Sequence, residues 1–236
     1  MFNHIVNFLF PASCVLCKRY LPTDNKSSSI CDFCWSQIEF IKGLLCQKCG
    51  EPLPAGGAHC AQCLKKGVNY HFEFIRAVCE YKGIIKQCIH LFKYSNKDYL
   101  ARTLGGLLID YIKNTTEFSE INTIVPVPLH WSRRFQRGYN QSELLSKEIA
   151  KALDKDLVVG NLYRRKVTKP QFGLSKNQRG VNVRGVFAVR NPSPIKNKSI
   201  LVVDDVCTTA STLEECAKTL KKTGAEKIFC LVVAHG

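Results

Sequence analysis

The sequence predicts an α/β protein in which a mostly parallel sheet follows a small cysteine-rich module. Three features predict it. Eight of the thirteen cysteines lie within the first 63 residues as four Cys-x-x-Cys pairs. Beyond residue 70, short apolar strand patterns alternate with amphipathic helix patterns, the order that builds a parallel sheet. Near the end, an apolar run closes in two aspartates and a hydroxyl-rich turn that opens a helix.

The cysteine-rich module is expected over residues 1–67, with Pro52, Pro54, Gly56 and Gly57 as loop formers, and the larger domain over 68–236. Phe72 to Tyr81 reads as a strand. Ile84, Ile85, Ile89 and Phe92 then mark one face of an amphipathic helix, and Leu104, Leu107, Leu108 and Tyr111 mark a second helix near Tyr99–Lys113. Thr123–Pro128 is a short buried strand, followed by a basic turn and a helix from about Gln141 to Leu153. Residues 164–184 show no clean period and read as a long loop, uncommon in compact domains unless functional. Ser199–Val203 is a fully apolar strand, Ser211–Lys222 a helix closed by Gly224, and Lys227–Val233 a final strand.

Composition fits a folded protein: of 236 residues, 45% are hydrophobic and 22% charged. The formal charge of +15 favours polyanionic or phosphate-rich partners. No run approaches the ~20 apolar residues of a membrane span. The apolar start, Phe2 to Phe10, lacks the basic region of a signal peptide and runs straight into Cys14. A reducing, cytoplasmic location is the expectation, since thiols kept for a metal need one.

The pairs are Cys14/Cys17, Cys31/Cys34, Cys46/Cys49 and Cys60/Cys63, separated by 13, 11 and 10 residues. Thiolates two residues apart form a tight knuckle, and two knuckles make a tetrahedral four-sulfur site. Two structural Zn²⁺ are therefore expected. Sequential pairing is the simplest scheme, and the spacing leaves interleaved pairing open. Eight thiolates and two zinc dications together subtract four charges, leaving the chain at +11 and still strongly basic. Cys79, Cys88, Cys207, Cys216 and Cys230 sit in apolar surroundings and read as ordinary buried cysteines.

The run Ile200 to Thr212 carries the second chemical signal. A turn of small hydroxyl residues ahead of a helix offers N–H groups and hydroxyls to an anion. The adjacent carboxylates suit sugar hydroxyls or Mg²⁺. Read only as structure, the same residues are a strand end with a helix cap. The run resembles the phosphoribosyl-pyrophosphate (PRPP) motif of type I phosphoribosyltransferases. By that resemblance Asp204 and Asp205 face the ribose hydroxyls, and Thr208, Thr209, Ala210, Ser211 and Thr212 hold the 5′-phosphate, with Mg²⁺ accompanying PRPP. The chain departs from the motif at Ala210, where glycine is usual and a methyl could crowd the phosphate. It departs again at Thr208, where members with an acidic base carry Asp, which argues against 6-oxopurine salvage.

The whole chain resembles the ComF family. The resemblance rests on Leu9-Phe10-Pro11, Cys46-Gln47-Lys48-Cys49-Gly50, Leu91-Phe92-Lys93-Tyr94, Val125-Pro126-Val127-Pro128, Arg137-Gly138-Tyr139-Asn140-Gln141 and Gln171-Phe172-Gly173-Leu174, with Arg179, Asn182 and Phe187. It implies a double zinc ribbon fused to a type I phosphoribosyltransferase-like domain, and a role in natural transformation, where incoming single-stranded DNA is handled at or after entry to the cytoplasm.

A basic belt fits that role. Leu157 to Val203 holds ten Lys and Arg and no acid, with Arg133, Arg134 and Arg137 just upstream. Trp131, Phe135, Tyr139, Tyr163 and Phe172 interleave, and cations with aromatic faces suit unpaired nucleic acid. Arg164, Arg165, Lys166, Lys169, Phe172, Lys176 and Arg179 are the candidate DNA contacts. Arg133, Arg134 and Arg137 are candidates for pyrophosphate or DNA. The bland alternative is a solvated basic face with its aromatics turned inward. Three readings follow: a DNA-handling competence factor with a PRPP- or nucleotide-type ligand site, an active PRPP-dependent transferase, and a zinc-dependent adaptor for a DNA-translocating helicase.

Overall fold

A computed structural model of the chain describes residues 12–21, 29–65, 69–165 and 184–236. In chain order the described elements are α1 (Asp32–Ser36), β1 (Phe74–Glu80), α2 (Gly83–Tyr94), α3 (Leu100–Lys113), β2 (Thr123–Pro126), α4 (Trp131–Arg137), α5 (Gln141–Leu153), β3 (Asp156–Leu157), β4 (Leu162–Arg164), β5 (Phe187–Val189), β6 (Ser199–Cys207), α6 (Ser211–Lys222) and β7 (Lys227–His235). Five strands form one parallel sheet in the order β1-β7-β6-β2-β3. An antiparallel pair, β4 and β5, stands apart from it.

The central strands are apolar without alternation because both faces are covered. Ile200, Leu201, Val202 and Val203 of β6 are fully buried, as are Ile228 and Cys230 to Ala234 of β7. Leu201 and Val203 join a core beneath α2, α3 and α5, while Ile200 and Val202 join a second core beneath α6 and the β4–β5 pair. On α2 the buried residues are Ile85, Cys88, Ile89 and Phe92, the helical stripe expected of a surface helix. The chain leaves β2 toward β3 and leaves β6 toward β7, in opposite directions. The carboxyl ends of β2 and β6 therefore flank a topological switch point, where open parallel sheets form a crevice.

Several elements differ from the sequence reading. The basic turn after β2 contains the short helix α4, started by His130, whose Nδ1 accepts from the Ser132 amide, and ended by Gly138 in the left-handed region (φ 78°). No residue of α4 is buried, so no apolar period announced it. β6 runs on past Val203 through both aspartates to Cys207, because β7 pairs with it as far as His235. The short strands β3, β4 and β5 carry too few residues to show a period. Of the expected loop, residues 166–183 lie outside the described residues, as do Leu9-Phe10-Pro11.

The cysteine-rich module grips the outer edge of the sheet. Phe40 bridges Cys79 of β1 antiparallel, with Ile41 N–H donating to the Val78 carbonyl at 3.0 Å and Glu80 N–H to the Glu39 carbonyl at 2.9 Å. Cys14, Val15, Leu21, Ile30, Cys31, Cys34 and Ile38 join the core on the α2 side. Ile41 packs on the α6 side, and Lys48 lies 5.5 Å from the Phe72 ring. The module thus straddles β1 and blocks the unpaired edge an outer strand would present.

Gly50 shows how close that approach is. Its φ of +75° is left-handed, and a Cβ there would lie 2.6 Å from the Ile75 carbonyl oxygen. Gly50→Ala should therefore destabilise the chain by about 2 kcal/mol or more, from strain plus displacement of the β1 contact. Urea denaturation of the metal-loaded protein measures this, and an unchanged midpoint would refute the close-approach argument.

Candidate functional site

Four knuckles build two sulfur clusters. In each, the amide four residues on returns to the first cysteine's carbonyl: Lys18 to Cys14, Trp35 to Cys31, Gly50 to Cys46 and Leu64 to Cys60, at 2.8 to 3.1 Å. Cys14, Cys17, Cys31 and Cys34 bring their ligand atoms within 4.8 Å of one another, and Cys46, Cys49, Cys60 and Cys63 do the same. The pairing is sequential. The Sγ–Sγ separations are 3.8 Å for Cys14–Cys34 and 3.5 Å for Cys17–Cys31 and Cys49–Cys60. A tetrahedral ion with sulfur at about 2.3 Å needs sulfurs about 3.8 Å apart, so both clusters fit structural zinc. Burial pushes the Cys63 thiol up to about 11, with the Cys49 sulfur opposing and the Cys60 and Cys46 sulfurs adding to the rise. The other five cysteines are buried, and burial pushes Cys207 up to about 12, as expected of inert core thiols.

The second site lies at the switch point. Successive strand residues leave on opposite faces, so the two aspartates diverge. Asp205 is buried toward α2, where its Oδ1 meets Lys93 Nζ at 2.8 Å. Burial opposes the charge on Lys93, but Asp205 outweighs it and the pKa is raised. Asp204 is partly exposed; its Oδ1 accepts from Ser142 Oγ at 2.7 Å and from the Asp205 amide at 2.9 Å. Burial, then the Asp205 charge, pushes the Asp204 carboxyl up to about 7. Ser142 is placed by Asn140, which caps α5 by accepting from the Ser142 amide and anchors to the Val127 carbonyl through Nδ2 at 3.0 Å.

Cations gather beside this pair. Burial first, then Arg133, depresses Arg164, while Cys216 and Asp204 act in the opposite direction. Arg133 is depressed by burial and then by Arg137. His130 is depressed by burial, Arg164 and Arg133, so it stands neutral. Among the described residues Arg133 and Arg137 form no ion pair, whereas Arg134 reaches Glu143 at 3.2 Å. Guanidinium groups close enough to disfavour a neighbour's charge mark a place suited to an anion.

The hydroxyl turn follows directly. Thr208 to Thr212 are all partly exposed, and Thr209 Oγ1 contacts Ser211 Oγ at 3.2 Å. Ala210 adopts φ −54° and ψ −2°, which needs no glycine, and it packs against the core beneath α6.

Of the belt, Arg164 ends β4 near Asp204, and Arg165 is exposed and bonds the Gly185 carbonyl at 3.0 Å. Lys166, Lys169, Phe172, Lys176 and Arg179 lie outside the described residues. The aromatics divide: Tyr139 turns inward against Phe92, while Trp131 and Phe135 are exposed. Sequence reasoning assigned no role to Lys93, Ser142 or Asn140. For Lys93, its place one residue beyond Phe92 on the buried stripe of α2 was an available signal.

Comparisons with known proteins agree with this architecture. A family model described as a double zinc ribbon domain matches residues 5–64, and one described as a phosphoribosyl transferase domain matches residues 140–236. The chain is 33% identical over 230 residues to competence protein F of Haemophilus influenzae, covering 95% of this chain and 96% of that protein. It is 30% identical over 226 residues to DNA utilization protein YhgH of Escherichia coli, covering 94% and 96%. A solved adenine phosphoribosyl transferase from Trypanosoma brucei shares 18% identity, covering 61% of this chain and 56% of that chain, with a TM-score of 0.38. The fold and the sulfur clusters define a type I phosphoribosyltransferase-fold protein bearing two zinc ribbons. Near-complete coverage of the competence relatives narrows this further, and the chain belongs to the ComF family.

Elemental analysis of protein purified without chelators should give two zinc equivalents per chain; one would break the two-site scheme and none would refute it. Asp204→Asn should raise stability near pH 8 by about 1–2 kcal/mol. The native state holds this proton more tightly than the unfolded chain, so stability falls as pH climbs from about 4 through about 7. The amide removes that loss and can keep the Ser142 bond. Melting curves from pH 4 to 8 test it: the variant's advantage must grow across that window.

Proposed function

We propose that this protein acts in natural transformation, on single-stranded DNA that has reached the cytoplasm, and that the switch-point crevice holds PRPP or a related nucleotide. The supporting observation is the divergent Asp204/Asp205 pair beside Arg133, Arg137 and Arg164, with the Thr208–Thr212 turn next to it. That set offers carboxylates for sugar hydroxyls, a hydroxyl turn at the start of α6 for a 5′-phosphate, and arginines for pyrophosphate. The carboxylate of Asp204 would help hold a Mg²⁺ that arrives with the ligand, and the ion would offset phosphate charge. The names of the relatives place the family in competence and DNA utilization.

The raised pKa of Asp204 favours a second reading, an active transferase, because a carboxyl titrating near neutrality can exchange a proton with a bound ligand. In that reaction C1 of PRPP exchanges its pyrophosphate oxygen for an acceptor nitrogen; pyrophosphate departs and the acceptor gives up a proton. Pyrophosphate release in the presence of candidate acceptors separates turnover from binding alone.

Mg²⁺–PRPP should raise the melting temperature. At a hundredfold excess over Kd the gain is about 2.7 kcal/mol, or roughly 5–10 °C for a chain of this size. Asp205→Asn should shrink the shift, since the amide loses the Lys93 ion pair that orders the site. No shift at millimolar ligand would defeat the PRPP reading.

A further inference from the structure

We infer that the outer face of α4, through Trp131 and Phe135, is a stacking platform for the unpaired bases of single-stranded DNA; this rests on the DNA reading above. The first observation is exposure. Trp131 is 72% exposed and Phe135 90% exposed, and α4 buries no residue. Two large aromatic side chains on a seven-residue helix that contributes nothing to the core have no account in folding.

The second observation is charge. From Pro126 to Gln141 there are three arginines and no acidic residue. Arg137 lies over the Tyr94 ring at 4.9 Å and donates to its hydroxyl at 3.2 Å, and Tyr94 is itself 63% exposed. Lys97 sits 5.6 Å from the exposed Tyr99 ring. Aromatic faces alternating with cations match a ligand that alternates base and phosphate. A protein partner's apolar hot spot would find no aliphatic floor here, since the remaining α4 side chains are Ser132, Arg133, Arg134, Gln136 and Arg137.

Geometry selects the single strand. Residues four apart share a helix face and sit about 6 Å apart along the axis. Bases in a duplex strand are stacked about 3.4 Å apart, so only a strand free to splay its bases can place neighbours on both rings. The platform is continuous with the crevice: Trp131 leans on His130 at 5.4 Å between ring centroids, and His130 feels Arg164 and Arg133. A strand lying on α4 thus leads its phosphates toward the arginines of the ligand site.

The test is fluorescence anisotropy of the full, zinc-loaded chain with a mixed-sequence oligonucleotide, single-stranded and duplex, across a salt series. Trp131→Ala with Phe135→Ala should weaken single-strand binding tenfold or more, leave duplex binding unchanged, and keep the slope of log affinity against log salt, because stacking releases no counterions. Its melting temperature should match the wild type, since neither side chain is buried. Wild-type binding with no loss in the double variant overturns the platform and leaves the DNA reading standing. Equal loss on duplex and single strand also overturns it. A wild-type chain that binds no oligonucleotide at low salt overturns the DNA reading, and the platform with it.

Discussion

The parallel pairing of β6 with β2 on one side and β7 on the other is the constraint on which the rest depends. It lets an apolar strand run straight into two carboxylates without leaving the sheet. Because β2 is shorter and ends at Pro126, the last residues of β6 project beyond it into the crevice. The two acids then take different partners, Lys93 of α2 for Asp205 and Ser142 at the start of α5 for Asp204. Two acids side by side in a mostly buried setting would repel. Divergence and one lysine partner for the pair make the arrangement tolerable, and the strain that remains shows as the raised Asp204.

The ribbon module is less an appendage than a wall of the sheet. Its segment Glu39–Ile41 pairs with the end of β1, and its two halves reach the two opposite cores. Ser29 N–H donates to Thr103 Oγ1 of α3 at 3.1 Å, and Arg76 of β1 spans Glu117 and the Gln47 carbonyl. Zinc binding is folding free energy for such a module. Metal occupancy is therefore coupled to the outer strand whose end leads, through α2, to Lys93.

The crevice and the α4 face share one electrostatic logic. Arg133 and Arg164 each lie near another arginine, and burial first, then the neighbouring guanidinium, lowers the pKa of each. An anion between such guanidinium groups would offset their mutual repulsion. Arg134 is tied to Glu143 and Arg165 to the Gly185 carbonyl. The belt is thus graded: Arg137 donates to Gln141 Oε1 and to the Tyr94 hydroxyl, whereas Arg133 forms no ion pair among the described residues.

Sequence by itself determined whatever depends on neighbours along the chain. Metal knuckles are local, so the Cys-x-x-Cys pairs announced both clusters. The hydroxyl turn is local too, and the stripe on α2 and the unbroken run in β6 follow from which faces are covered. Tertiary structure decided what depends on distant residues meeting. Lys93, Ser142, Arg164 and Asp204 come from four elements separated by up to 111 positions, and only the strand order brings them together. It also decided the sequential zinc pairing, the reach of β6 through its aspartates, and the outward turn of Trp131 and Phe135. None of these has a period in the sequence, because a side chain's partner across a sheet, or its lack of one, is a property of the assembled layers and not of the chain segment that carries it.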